Sequence, residues 1–281
     1  MALLASIPRM PYFSIITCTC NAGKTLASCI ESVENQLCGD FEHLFIDGFS
    51  TDETVPLIRK YQARCPRKVR LHQLEPTGVT RAMNEGIAVS KGEVIMHLHA
   101  DDGLAGPDVL GSVKELLDRS RATVVVGNCL LAGNTDLTQT WPKNPLARAI
   151  YKSLIPVIMF HLNPIPHPST YLSRSVFDRH GRFDEEYKVV MDYDFWFRII
   201  GKERFLTTDK ILSIYQFHSD TISTRQMELG LREIDRIHTR YRTEYPILHF
   251  LYMWVLRPIL LARKALGGSR NPPRHSREIS R

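Results

Sequence analysis

Two adjacent carboxylates, Asp101 and Asp102, close an apolar run that reads VIMHLHADD over residues 94–102. Such a run reads as a buried strand delivering the pair to the open edge of a sheet, where α/β proteins bind their ligands. Paired carboxylates there suit a hard divalent cation, Mg²⁺ or Mn²⁺, which takes one or two oxygens from the protein and the rest from water and substrate phosphates. The same residues also fit a solvated loop, because Asp-Asp-Gly is an ordinary turn composition. The choice rests on the elements around them.

Those elements have room to form. The chain has 281 residues, 43% hydrophobic and 23% charged, with a net charge of +6 and a pI near 9.0. This length accommodates one large α/β domain with an appendage, and the composition excludes wholesale disorder or a polytopic membrane protein. We expect a core domain over residues 12–218, a helical segment over 219–268 and a disordered basic tail over 269–281. The positive balance fits nucleic acid, an anionic membrane or phosphate-bearing substrates. Nucleic acid is the poorest of these, because the charge is spread or gathered in the tail and no aromatic-basic sheet motif occurs. Cys18, Cys20, Cys29, Cys38, Cys65 and Cys129 show neither paired CxxC spacing nor the density of a disulfide scaffold, which points to a reducing compartment. The opening MALLASIPRMPYF lacks the basic and apolar segments of a signal peptide, so the expected location is cytoplasmic.

In chain order, residues 13–19 (FSIITCT) form a strand that exits through Cys20-Asn21-Ala22-Gly23. Residues 24–36 follow as an amphipathic helix, with Leu26, Ile30, Val33 and Leu37 on one face. A second strand over 43–46 is closed by Asp47-Gly48, and Ser50 to Glu53 match a capping box for a helix with Val55, Ile58 and Tyr61 inward. Further strands are expected over 69–71, the acidic run itself and 123–126, with helices over 82–89 and 107–117. This alternation implies right-handed βαβ units, a mostly parallel sheet and a carboxyl edge where Asn21, Asp47, Arg81 or Asn84, Asp101 and Asp102 converge. Beyond Gly127 the prolines interrupt every candidate helix, predicting a loop-rich region around one or two short helices. An antiparallel strand over 169–172, a helix over 192–200 with acidic residues at its start and a polar helix over 226–241 come after it.

Taken together, FSIITCTCNAGKTLASCIESVENQ, FIDGFSTDET, EPTGVTRAMNEGIAVSKGEV, MHLHADD, HPSTYLSRSVFDRHGRFDEEY and DYDFWFR resemble, in order, the family-2 glycosyltransferases of the GT-A fold. Small bacterial members that build glycolipids and cell-surface polysaccharides are the most similar. The resemblance implies a Rossmann-like α/β fold and a nucleotide diphosphate sugar donor, taken to be a UDP-sugar. It assigns the metal to Asp101 and Asp102, and base, ribose and diphosphate contacts to Thr17, Cys18, Cys20, Asp47, Arg81, Asn84 and Asp101. It also makes Asp192 the base that takes a proton from the acceptor hydroxyl, with Asp194 the alternative on another helix face. A helix cap is the plainer role for Asp192. His167 and His218 are implied contacts to the acceptor or the diphosphate, and a loop histidine bonded to backbone is the plainer reading of the first. Three positions depart from the pattern: Cys20 where Tyr is common, Gly48 where a second Asp is common, and His99 at the start of the metal motif. The absence of a Gln-x-x-Arg-Trp motif favours transfer of a single sugar. Two rivals remain at this level: a sugar-1-phosphate nucleotidyltransferase, for which CTCNAGKTL is a poor phosphate loop, and a non-catalytic carbohydrate or membrane-surface module.

Residues 246–266 (PILHFLYMWVLRPILLARKAL) are rich in aromatic and aliphatic side chains but carry charge and a proline near the centre. An amphipathic helix lying on the inner leaflet, with Arg and Lys reaching the headgroups, fits better than a spanning one. The competing expectation is a terminal helix packed on the domain or on a second copy of the chain.

Overall fold

The structure, a computed structural model, describes residues 10–132, 137–139, 142, 144–216, 226–256 and 258–259. Strand β1 (Phe13–Thr19) lies between β2 (Phe41–Asp47) and β4 (Val94–His97), parallel to both, and β3 (Val69–Gln73) extends the same parallel run beyond β2. The crossovers are α1 (Leu26–Glu34), α2 (Thr54–Arg64) and α3 (Val79–Val89). This half of the sheet is the parallel one the sequence predicts. Its carboxyl ends meet along one edge.

The second half is mixed. After α4 (Val109–Arg119) come β6 (Val124–Ala132), β8 (Thr170–Ser173) and β9 (Phe205–Gln216), while β5 (Gly103–Leu104) and β7 (Leu137–Gln139) are short. Strand β8 runs antiparallel between β4 and β6, and β9 lies parallel to β6, so the order is β3-β2-β1-β4-β8-β6-β9-β5 with β7 on β6. Between β7 and β8 the proline-rich stretch contains short helices, as the sequence predicts. It holds α5 (Pro145–Ser153), α6 (Ile155–Ile158) and a 3₁₀ turn (His167–Ser169).

Side chains of β1 alternate between two apolar layers, as strand geometry requires. Phe13 and Ile15 join Leu26, Ile30, Val33, Ile58 and Leu110 on one face; Ile16 joins Met83 and Ile87 on the other. Gly86 permits that second contact, because a Cβ there would sit 2.4 Å from Ile16 Cγ2. The second layer also takes in α7 (Arg174–His180), α8 (Met191–Ile199) and α9 (Met227–Tyr241), the last through Ile237 and Tyr241. Helix α10 (Pro246–Leu251) runs into a π-helical turn, Tyr252–Leu256, packed on α6.

Three local expectations fail for identifiable reasons. Helix α1 stops at Glu34, which leaves Leu37 80% exposed beyond it. Thr54, Ile58 and Tyr61 form the buried face of α2, with Val55 only partly covered. No capping box forms, because the Ser50 hydroxyl donates to Asp47 Oδ1 at 2.6 Å; Asp52 Oδ1 receives the Thr54 amide at 3.0 Å instead.

Candidate active site

The loops leaving β1 and β2 are zipped to each other. Asn21 N donates to Ser50 Oγ at 2.8 Å, Thr51 N to Asn21 Oδ1 at 2.9 Å, Gly23 N to Asp52 Oδ2 at 2.9 Å and Gly48 N to Thr19 O at 2.8 Å. Asp47 is the hub. Oδ1 accepts from Thr19 Oγ1 and Ser50 Oγ, and Oδ2 from Ser50 N and, at 3.4 Å, Gln73 Nε2. A fully buried carboxylate so occupied shapes the loop from behind. Within this lattice Asn21 and Phe49 take φ of 54° and 52°, a left-handed conformation that Asn tolerates and that strains Phe. Phe49, 49% exposed, is held there by the fixed bonds at Gly48 and Ser50 and follows Gly48, where a Cβ would meet Pro76 Cβ at 3.3 Å and Cys20 Cβ at 3.5 Å.

Strand β4 ends at His97, and the Asp102 amide closes a turn onto the His99 carbonyl at 3.0 Å. Asp101 is partly exposed. Asp102 is buried: Oδ1 accepts from Gln216 N at the end of β9 at 3.1 Å, while Oδ2 is buried with no partner. Burial first, and the neighbouring Asp101 second, raise the Asp102 pKa well above the usual carboxylate range. An acid in that position gains from a cation more than from any other addition. The unpartnered Oδ2 beside a second carboxylate fits a divalent ion held by one or two protein oxygens. Among the described residues no group of three or more His, Cys, Asp or Glu could hold a metal by itself, so phosphate oxygens and water would complete the shell.

Behind the pair lies a line of rings. The His99 ring meets His167 edge-on at 5.7 Å, and His167 meets His97 at 5.4 Å and Trp196 at 5.9 Å. The 3₁₀ turn carrying His167 is fixed by Ser169 Oγ, which donates to Asn128 O at 3.0 Å and meets Ser213 Oγ. Burial holds all three imidazoles below the usual histidine range, so they are neutral; that of His97 falls to about 3.

Trp196 lies one turn of α8 beyond Asp192, on the same face. Asp192 Oδ2 accepts from Asn163 Nδ2 at 2.8 Å and Oδ1 from Tyr193 N at 2.8 Å; burial, partly offset by these bonds, raises its pKa to about 6. Val190 is the N-cap residue and Asp192 lies in the first turn. Asp194 is fully buried on another side, holding Arg198 Nε at 2.9 Å and the Tyr241 hydroxyl at 3.1 Å.

The sequence model of "Glycosyl transferase family 2" matches residues 14–181, more than half of the chain. The chain belongs to glycosyl transferase family 2. This glycosyltransferase is 28% identical over 197 residues to a PGL/p-HBAD biosynthesis glycosyltransferase of Mycobacterium bovis, covering 70% of this chain and 73% of that one. It is 25% identical over 236 residues to chondroitin synthase of Escherichia coli, covering 80% of this chain and 32% of the longer protein. Among solved structures, S. aureus TarS 1-349 in complex with UDP-GlcNAc aligns with a TM-score of 0.62 at 20% identity, over 80% of this chain and 66% of that one. Without that ligand the shares are 80% and 64%, so this chain spans less than two thirds of that relative. Mannosyltransferase PcManGT of Pyrobaculum calidifontis, in complex with GDP-Man and Mn2+, aligns at 0.63 with 18% identity, over 93% and 77%. At such identities the likeness shows the GT-A fold.

Within the glycosyltransferase the other expected contacts are scattered. Thr17 is buried against His43 Nε2 at 3.0 Å on the α1 side of the sheet, whereas Cys18 packs in the α3 layer, so strand alternation separates the two. Cys20 and Arg81 are exposed near the edge. Asn84 Nδ2 donates to Phe183 O and Glu185 Oε1, and its Oδ1 accepts from Phe183 N, making it a clamp between α3 and the loop before α8. His218 lies outside the described residues. A surface depression of about 530 Å³ lined by Tyr12, Lys91, Glu93 and Arg174 lies at the opposite, amino end of β1 and β4.

One residue of consequence escaped the sequence reading. Glu233 of α9 is buried and accepts the amides of Lys188, Val189 and Val190 at 2.7, 2.9 and 3.1 Å, fixing the segment that leads into Asp192. A signal was present: Gly230, Glu233, Ile237 and Tyr241 fall on one helix face, and a carboxylate on an otherwise inward face needs partners. Glu233→Gln presents an amide donor to backbone donors. It should cost about 2 kcal/mol and lower Tm by roughly 4–8 °C, with a parallel fall in kcat. Thermal melts and steady-state rates check both.

Proposed function

We propose that this enzyme is a metal-dependent, inverting glycosyltransferase that moves one sugar from a UDP-sugar to a hydroxyl of a glycolipid or polysaccharide precursor at the inner face of a membrane. The observation carrying this reading is the pair of acidic positions joined through His99, His167 and Trp196: an unpartnered, buried Asp102 oxygen at one end, and Asp192 at the other. The names of the relatives support the donor and acceptor classes, which the residues alone do not define.

Asp192 accepts the proton of the acceptor hydroxyl while its oxygen attacks the anomeric carbon. The bond from that carbon to the diphosphate breaks on the opposite side and its electron pair leaves on the diphosphate, so configuration inverts. Asn163 holds the carboxylate in register. Asp101 and Asp102 would hold a divalent cation, which when bound supplies charge against the departing diphosphate. Among the described residues no helix is long and apolar enough to cross a membrane, and the exposed apolar side chains of α10 support contact with its surface.

UDP-sugars with Mn²⁺ or Mg²⁺ should raise Tm, and chelation with EDTA should abolish both that shift and UDP release in the presence of an acceptor. A product of retained anomeric configuration, or donor turnover that survives chelation, overturns the proposal.

A further inference from the structure

Helix α5 buries none of its residues. Leu146 and Ile150, one turn apart, are 71% and 52% exposed, and Leu154 continues the same face just past the helix end. The opposite face is anchored: Arg148 Nε and Lys152 Nζ reach Asp209 of β9 at 3.2 and 2.5 Å, and Tyr151 packs on the core. A helix so attached by its polar side presents its apolar side outward. Water is a poor neighbour for it.

The C-terminal segment repeats the arrangement. Leu248 and Tyr252 pack inward, Tyr252 stacking on His161, while Ile247, Phe250 and Trp254 are 74%, 58% and 71% exposed on the outer face. Both elements pack on α6, and partly exposed Leu154 and Leu162 flank that helix. Immediately beyond, Asn163 bonds Asp192, and the Tyr193 hydroxyl donates to Met159 O. The two apolar faces therefore lie beside the acceptor end of the active site without lining it.

We propose that α5 and the C-terminal segment together form one lipid-docking surface that seats the acceptor end of the enzyme on an anionic bilayer. This deepens the functional reading above, on which it rests for the meaning of the acceptor end. Two observations select a bilayer over a protein. Exposed Trp and Phe beside aliphatic side chains suit the headgroup boundary. Next in the sequence, residues 257–281 carry seven Lys and Arg against one Glu, a charge that complements anionic headgroups and repels a second copy of itself.

The test is sedimentation of the full chain with vesicles of phosphatidylcholine alone or with added phosphatidylglycerol. Leu146→Asp with Ile150→Asp tests one element, and Phe250→Asp with Trp254→Asp the other. Binding should require phosphatidylglycerol, and each double variant should lose about tenfold or more of it, while Tm and transfer to a water-soluble acceptor stay unchanged. If only the C-terminal pair weakens binding, α5 is not part of the surface and the proposal fails. Failure of the wild-type chain to bind any vesicle, combined with a dimer by light scattering that the same substitutions dissolve, shows a protein interface and also overturns it. Loss of donor turnover in the wild-type protein would instead count against the catalytic reading and leave vesicle binding to be judged separately.

Discussion

Asp192→Asn should lower kcat/KM by about 10²–10⁴-fold while leaving the fold intact. The carboxylate is 9% exposed, its two oxygens are aligned by Asn163 and the Tyr193 amide, and burial lifts its pKa to about 6. A base of that strength is mostly ionised at pH 7 yet still binds a proton well. Wild-type kcat/KM should fall on the acid side with a midpoint near 6, and the residual rate of the variant should lack that limb. Stability moves the other way. Because the folded pKa lies above the unfolded one, the contribution of Asp192 is fully present below about pH 4 and is lost as pH rises through about 6, a change on the order of 3 kcal/mol. Asparagine cannot ionise, so at pH 8 the variant should melt no lower than wild type. A variant of normal rate, or one that keeps the acid limb, would remove Asp192 from the role of base.

The double substitution Asp101→Asn with Asp102→Asn should abolish donor turnover, by about 10³-fold or more, and with it the metal-dependent rise in Tm. The asymmetry between the two residues sharpens the expectation. Asp102 keeps a buried, unpartnered oxygen and a raised pKa, so ionised Asp102 destabilises the empty protein; Asp102→Asn alone should raise Tm without donor and erase the further rise with donor and Mn²⁺. Asp101 is partly exposed, so Asp101→Asn should change the empty protein little. Calorimetric melts with and without UDP-sugar and metal separate these outcomes. Full metal-dependent activity in the double variant would refute the assignment.

The carboxyl edge was legible because its signals are local. Strands β1 and β4 are apolar runs ended by turn chemistry, and β1, β2 and β3 came within two residues of their observed limits, whereas β4 stops at His97, short of the acidic pair. Strand β9 was missed entirely: FLTTDKILSIYQ mixes polar and apolar residues, and its place is set by pairing with β6, some 80 residues earlier, which no local pattern encodes. The short helices expected among the prolines are α5 and α6, and their prolines open them, where a missing amide costs nothing. For the site, identity of residues was easier to read than their duty. Asp47 and Asn84 were expected at the ligand, yet their polar atoms face the protein, because a buried polar side chain bonds whatever the fold brings to it.

The three amides gathered by Glu233 have a consequence for how the acceptor half comes together. That carboxylate sits more than forty residues downstream of the segment it organises, so the entry to α8 cannot acquire its final shape until α9 has docked. Asp192, the proposed base, is thus positioned from both sides of a long excursion of chain. A polypeptide ending before α9 would keep its nucleotide-facing edge yet leave Asp192 on an unmoored helix.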